Sequence, residues 1–111
     1  MINILIVKSK QNIITVEATG HSGYAESGSD IVCSAVSTLM QNLANGLTEV
    51  VKAEAKVVVD EEIPHLSVTL IEQNAEKFKC AQMLMQTTIL SLKEVANGYS
   101  KFIKIKEKQN D

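Results

Sequence analysis

The spacing of apolar residues along this chain alternates between the period of a strand and the period of a helix. From about Asp30 to Val51, apolar residues recur at every fourth position, which predicts a helix with a broad buried face. Asn74 can cap a second helix, which Asn97-Gly98 closes. The predicted buried stripes are Ile31, Ala35, Leu39, Leu43 and Leu47, widened by Val32, Val36, Met40 and Ala44, in the first helix and Phe78, Ala81, Met85, Thr88, Leu92 and Val95 in the second.

Five segments have the spacing of β-strands. Ile2 to Lys8 is a continuous apolar run, which predicts a central, well-covered strand. Ile13 to Thr19 alternates and is expected to pair with it as a hairpin. The alternation places Ile14, Val16 and Ala18 on one side. Three further segments are predicted strands. Lys52 to Asp60 places Ala55, Val57 and Val59 on one face, and His65 to Ile71 places Leu66, Val68 and Leu70 inward. The last, Lys101 to Lys106, carries Ile103 and Ile105.

The predicted order of elements is therefore β-β-α-β-β-α-β. The economical architecture for this order is an α+β fold, a mostly antiparallel sheet with two helices packed on one face. We expect one domain over residues 1–111. The net charge of −2 provides no electrostatic footprint for nucleic acid. Without an export signal or a membrane-length apolar run, a cytoplasmic location with free thiols at Cys33 and Cys80 is expected.

A glycine-broken loop from Gly20 to Ser29 separates His21 from Cys33 in the first turn of the helix. Unpaired N–H groups and the helix dipole favour a thiolate there. Cys33 could attack an acyl carbon while His21 takes the thiol proton and returns it to the leaving amine. Helix-start N–H groups could stabilise the oxyanion. On residue types alone, a small core cysteine and a loop histidine explain the pattern equally well.

Neighbouring residues each have a functional and a plainer interpretation. Asp30 could orient His21 as a third catalytic group, or it could only cap the helix, a role that Ser29 could also fill. Ser37, one turn after Cys33, could line the site or simply pack. Tyr24 and Glu26 could touch a substrate or be solvated. The loop from Ser22 to Ser29 is expected to be a mobile lid.

Two other kinds of site fit the sequence poorly. The glycine loop lacks a lysine, and Asp30 places a negative charge where a bound phosphate would sit. His21, Cys33, His65 and Cys80 have the composition of a zinc site, but no two of them have the close spacing of a ligand pair. We therefore expect no metal and no cofactor, and we interpret Cys80 as structural.

The chain resembles a known family in two neighbouring runs, Gly20-His21-Ser22-Gly23-Tyr24-Ala25-Glu26 and Gly28-Ser29-Asp30-Ile31-Val32-Cys33-Ser34-Ala35-Val36-Ser37. In these runs it is similar to the bacterial ribosomal-processing cysteine protease family, Prp. The family pattern is a Gly-His, a short glycine-bearing loop and then Gly-x-Asp-Ile-Val-Cys-x-Ala-Val-Ser. Length and element order agree over essentially the whole chain. Ser22 and Ser34 stand where the family often has alanine, and Ser27 stands where it often has a larger residue.

The resemblance implies a cysteine endopeptidase with Cys33 as nucleophile and His21 as proton acceptor and donor. Asp30 is a candidate orienter, and the candidate substrate-binding residues are Gly20, Ser22, Gly23, Tyr24, Glu26, Gly28 and Ser37. The family removes an N-terminal extension from large-subunit ribosomal protein twenty-seven, with cleavage after a Phe-Phe pair, and its members are homodimers. We thus expect a protein substrate, a homodimer, no direct nucleic acid and no membrane. The alternatives are a non-catalytic ribosome-associated binding module and another thiol-dependent acyl-transfer enzyme.

Overall fold

The described residues of the computed structural model, 1–25, 30–60 and 65–110, form five strands and two α-helices. The elements are β1 (Ile2–Ser9), β2 (Asn12–Thr19), α1 (Ile31–Asn45), β3 (Ala55–Asp60), β4 (His65–Leu70), α2 (Ala75–Gly98) and β5 (Ile103–Gln109), with a π-helical turn Gly46–Val50 after α1. The predicted element order and α+β class are confirmed. None of these helices is both long and apolar enough to cross a membrane.

The strands form one mixed sheet in the order β3-β4-β2-β1-β5. The pairs β1–β2, β2–β4 and β3–β4 are antiparallel, while β5 joins β1 in parallel register, with Ile2 opposite Ile103. The continuous apolar run of β1 therefore occupies an interior position, as its composition predicts. The lysine-rich β5 forms one edge of the sheet, where exposed lysines are typical.

Both helices pack on one face of this sheet and enclose a single cluster of buried side chains. The strands contribute alternate residues, since every second side chain of a strand points to the same face. Members of the cluster include Ile4, Ile6, Val16 and Val68 from the sheet, Val32, Val36, Met40, Leu43 and Leu47 from α1 and the following turn, and Ala81, Met85, Ile89 and Leu92 from α2. The core thus reaches to the first turn of α1, just beside Cys33.

The buried stripe of α1 is rotated by about one residue from the predicted one. Ile31 is 52% exposed, whereas its neighbour Val32 is fully buried. Leu39 lies at the boundary and lines a shallow groove against α2. The prediction is confirmed for Leu43, Leu47 and the widening residues Val32, Val36 and Met40, but it is wrong for Ile31. α1 carries apolar residues on adjacent i+4 rows, and local spacing alone does not decide which row faces the sheet.

A β-bulge changes which residues of β2 face the helices. Val7 pairs with Thr15 but the next residue of β1, Lys8, pairs with Ile13, so Ile14 is an extra residue on β2. Ile13 consequently lies in the core with Val16 and Ala18, at 5% exposure, and the prediction that Ile14 shares a side with these two residues is wrong. Because successive side chains of a strand point to opposite faces, one extra residue moves the side chains beyond it to the opposite face from the one predicted.

The outer strands also differ from their predicted positions. β3 begins at Ala55 rather than at Lys52, because Lys52 adopts φ +57°. Val59 lies on the predicted face of β3 but is 59% exposed. It lines a cavity instead of packing in the core. β5 starts two residues later than predicted and continues to Gln109.

A glutamine side chain compensates for the early end of the β2–β4 pairing. β4 pairs with β2 only from Thr15 to Thr19, which leaves the backbone of Ile13 without a strand partner on that side. Gln82 of α2, itself 7% exposed, accepts from Ile13 N at 2.8 Å and donates to Ile13 O at 2.7 Å. Its amide thus satisfies both backbone groups, as buried polar atoms require.

We predict that Gln82→Leu lowers the free energy of unfolding by roughly 2–4 kcal/mol, because each orphaned buried backbone group costs about 1–3 kcal/mol. Urea denaturation followed by circular dichroism measures the change. Gln86→Leu is the matched control, since Gln86 is exposed on the same helix and its substitution should change stability by about 0.5 kcal/mol or less. Equal effects of the two substitutions would contradict the assigned role of Gln82.

Candidate active site

The end of β2 and the start of α1 meet at one cavity of about 530 Å³. His21, two residues after β2, and Cys33, in the first turn of α1, both line it. His21 is exposed and Cys33 is partly buried. Among the hydrogen bonds of the described residues none joins the two side chains, which is common before a substrate arrives. The structure therefore brings the predicted nucleophile and base to the same cavity.

Gly20 sets the direction in which the chain leaves β2. Its φ is +91°, and a Cβ at this position would lie 2.5 Å from the carbonyl oxygen of Met1. A side chain at position 20 is therefore disfavoured both by the backbone conformation and by a clash with the Met1 carbonyl oxygen. This turn carries His21 to the mouth of the cavity, so Gly20 acts on the site through the backbone.

Asp30 caps α1 through its carboxylate. Oδ1 accepts from the backbone N–H of Val32 and of Cys33, both at 3.0 Å, and the backbone carbonyl of Asp30 accepts from Ser34 N at 3.1 Å. Oδ2 accepts a short hydrogen bond from the hydroxyl of Ser22. The Ser22 hydroxyl is the main cause that lowers the pKa of Asp30 to about 2, assisted by Cys33 and Val32, while desolvation acts in the opposite direction.

Ser22 joins the loop to the helix at several points. Its backbone N–H donates to Cys33 Sγ at 3.3 Å, and its hydroxyl accepts from Tyr24 N at 3.0 Å while donating to Asp30. The side chain is buried at 3% exposure. From the sequence, Ser22 is expected only as a candidate substrate contact. A serine in a glycine-rich loop has no periodic pattern that would reveal such a partner on the helix.

The bonds of Asp30 bear on two expectations about the helix start. Its carboxylate accepts from Ser22, Val32 and Cys33, and no hydrogen bond among the described residues joins it to His21. The predicted cap is thus confirmed, and orientation of His21 by Asp30 stays a prediction. The N–H groups of Val32 and Cys33, which belong to the helix start expected to stabilise an oxyanion, are already bonded to Asp30.

The other candidate residues are distributed around the cavity. Gly23 and Ser37 line it along with His21. The Tyr24 ring packs edge-on against Tyr99 and Phe102, with centroids 5.7 and 5.3 Å away. Tyr24 therefore holds the first part of the loop against the turn before β5, which differs from an unanchored lid. Glu26 and Gly28, and the rest of the predicted lid, lie outside the described residues.

His65 lies at the same cavity but belongs to a different environment. It stands opposite Thr19 in the β2–β4 register, and its Nε2 is 2.9 Å from Glu17 Oε2. Thr19 and Glu17 alternate with the core-facing Ala18, so this pair lies on the face of the sheet away from the helices. His65 is thus engaged by a carboxylate on that face.

Cys80, which we interpreted as structural, is exposed on α2. Its thiol therefore has no part in the core, and the interpretation is not supported by its position. Across the described ranges, no group of three His, Cys, Asp or Glu side chains is placed to hold a metal ion.

Comparison with known proteins identifies relatives over nearly the whole chain. A family model described as cysteine protease Prp matches residues 1–104. The ribosomal processing cysteine protease Prp of Staphylococcus aureus is 25% identical over 104 residues, which are 94% of this chain and 95% of that protein. The protein of the same name from Mycoplasma pneumoniae is 30% identical over 94 residues, with coverage of 85% and 87%.

Solved structures agree with the fold. The S. aureus ribosomal processing protease Prp with a covalently linked product peptide superposes with a TM-score of 0.88 at 24% identity, covering 97% of this chain and 100% of that one. A Streptococcus mutans protein superposes with a TM-score of 0.86 at 30% identity, covering 99% and 96%. The five-stranded mixed sheet with two helices is therefore the fold of these neighbours.

We predict that the stability gap between the wild type and Asp30→Asn depends on acidity. A carboxyl with its folded pKa lowered from 3.8 to about 2 contributes stability above pH 3.8, and the contribution disappears as pH falls through about 2. The wild type should be the more stable protein at neutral pH, and the gap should close on acidification. Urea midpoints measured across this range test it. Glu72→Gln, at an exposed carboxylate, is the control, and a gap that stays constant would contradict the prediction.

Proposed function

The chain belongs to the cysteine protease Prp family, and from this premise we propose that it is an endopeptidase with Cys33 as nucleophile and His21 as proton acceptor and donor. The observation that carries the proposal is the arrangement of the two side chains at one cavity, with an N–H group of the loop bonded to the Cys33 sulfur. A thiol at the start of a rigid helix and an imidazole on an adjoining loop are the minimum that acyl transfer to sulfur requires.

The proposed reaction has two stages. His21 takes the proton of the Cys33 thiol, and the sulfur then forms a bond with the carbonyl carbon of the substrate. The C–N bond breaks as His21 returns the proton to the leaving amine. Water next attacks the thioester, with His21 again accepting a proton, and Cys33 is released. The carbonyl oxygen carries negative charge at both stages and needs a hydrogen-bond donor each time.

We propose that the substrate is the N-terminal extension of large-subunit ribosomal protein twenty-seven, cut after a Phe-Phe pair. The names of the relatives support a role in ribosomal processing, and solved relatives hold substrate and product peptides. The lining of the cavity includes apolar residues, which would suit bulky apolar side chains of a peptide. They include Ile2, Val36, Met40, Val59 and Leu66. We further propose that residues 1–111 act as one protease domain, in the cytoplasm where ribosomes are assembled.

Incubation with the extended ribosomal protein, followed by mass spectrometry of the products, tests the function. We predict that the wild type releases the extension, and that Cys33→Ala releases none and retains its fold, because the thiolate is the attacking atom and the substitution is small. Cys80→Ala is the matched control, since this second thiol is exposed on α2. Cleavage by purified Cys33→Ala would refute the protease mechanism. A product joined to an acyl acceptor would instead indicate a thiol-dependent transferase, and stable binding without cleavage a binding module.

The two histidines provide a test of the base. We predict that His21→Ala lowers kcat by about 10²-fold or more, the usual effect of losing a general base. His65→Ala should leave kcat within about threefold, because its imidazole is bonded to Glu17 on the other face of the sheet. Steady-state cleavage of a Phe-Phe peptide measures both. A larger loss from His65→Ala would show that the base has been assigned wrongly.

The quaternary state is a separate part of the proposal. We propose a homodimer, as the resemblance to the family implies. Analytical ultracentrifugation of the purified chain gives the answer directly, since a dimer has twice the mass of the 12.1 kDa chain. A monomer at all concentrations used in the cleavage measurements would remove dimerisation from the proposal and leave the chemistry unchanged.

A further inference from the structure

Three amide donors at the start of α1 are already bonded to Asp30. Its Oδ1 accepts from Val32 N and Cys33 N, and its carbonyl accepts from Ser34 N. A helix start is ordinarily a source of unpaired N–H groups for an anion. Here Asp30 occupies the N–H groups of Val32, Cys33 and Ser34, so these three are not available to the oxyanion of an acyl-transfer reaction.

The backbone N–H of Ser22 is a donor that reaches the reacting sulfur. Its nitrogen lies 3.3 Å from Cys33 Sγ, and it directly follows His21 in the chain. When the sulfur bonds to a carbonyl carbon, the carbonyl oxygen is attached to that same carbon and lies beside the sulfur. A donor already directed at Sγ is therefore within reach of the developing oxyanion.

The surrounding contacts hold this N–H in place. The Ser22 hydroxyl donates to Asp30 Oδ2 and accepts from Tyr24 N at 3.0 Å. Gly23 has φ +76°, a conformation that turns the chain back immediately after Ser22. The Tyr24 ring is packed against Tyr99 and Phe102. A donor fixed in advance stabilises a transition state without the cost of reorganising.

We propose that the Ser22 backbone N–H is an oxyanion donor of the reaction, and that the hydrogen bond between the Ser22 hydroxyl and Asp30 positions it. This inference rests on the proposed attack by Cys33. As the S–C bond forms, the π electrons of the carbonyl move onto oxygen, and the N–H stabilises that charge until the C–N bond breaks and His21 protonates the amine. Asp30 is thereby a positioning residue that acts through Ser22.

The N–H itself is tested by exchanging it for an ester oxygen. Two variants are compared. One is Ser22→Ala, and the other is a semisynthetic protein that carries lactic acid in place of residue 22. Both have a methyl side chain there, so they differ only in the backbone group, which is N–H in the first and an ester oxygen in the second. We expect the ester variant to have a kcat about 10²-fold below that of Ser22→Ala, the usual loss for one oxyanion donor. KM should stay within twofold. Affinity for a Phe-Phe peptide aldehyde should fall along with kcat, because the adduct of the aldehyde with Cys33 carries an oxygen in the position of the oxyanion.

Alkylation of Cys33 by iodoacetamide at about pH 10, where an ordinary thiol is ionised, checks that the site is intact, because this reaction forms no oxyanion. Unchanged alkylation with lower kcat is the expected result. Equal kcat for the two variants overturns the inference, as does a parallel fall of kcat and alkylation, which would indicate collapse of the site. Failure of the wild type to cleave would instead refute the proposed function.

The positioning link is tested with ordinary substitutions. The substitution Asp30→Asn retains an oxygen for the N–H groups of Val32 and Cys33 but presents an NH₂ group to Ser22. We expect Ser22→Ala and Asp30→Asn each to lower kcat about tenfold, as for a loosened donor, with KM unchanged. The double variant should lose no more than either single one, since both remove the same link. Multiplied effects, or a loss with Asp30→Asn as large as with His21→Ala, would overturn this link and favour direct orientation of His21.

Discussion

The site depends on one carboxylate that belongs to the helix and to the loop at the same time. Asp30 begins α1 by accepting the N–H groups of Val32 and Cys33, and it holds the Ser22 hydroxyl with its other oxygen. It is 6% exposed, so water competes little for these bonds. The Asp30 side chain therefore links the first turn of the helix to the residue after His21, beside the direct bond from Ser22 N to Cys33 Sγ.

This arrangement changes how the thiol is activated. A cysteine in the first turn of a helix would ordinarily benefit from free N–H groups and from the positive end of the dipole. In this chain the N–H groups of Val32 and Cys33 are bonded to Asp30, whose low pKa keeps it negatively charged at neutral pH. The carboxylate offsets much of the dipole. The contact made to the sulfur itself comes from the backbone N–H of Ser22, across the cavity.

The sequence determines the elements but not the contacts between them. Element order, the interior place of β1 and the cap at Asp30 follow from local patterns, which depend on residues close together in the chain. The bulge at Ile14 and the orientation of α1 do not follow from local patterns. The bulge depends on how β2 pairs with β1, and the orientation of α1 depends on which of its two apolar rows meets the sheet. Gln82 recognises the backbone of Ile13 from 69 positions away, and no local pattern indicates such a partner.

The candidate site divides in the same way. Residue types and the resemblance indicate His21, Cys33 and Asp30, since their chemistry is specific to their side chains. Ser22 contributes through a backbone N–H, which every residue except proline possesses, so its identity carries no signal of that role. The glycines beside it are better indicators, because φ values of +91° at Gly20 and +76° at Gly23 are conformations that other residues rarely adopt. Gly20 and Gly23, on either side of His21, therefore indicate a loop whose backbone, as well as its side chains, faces the cavity.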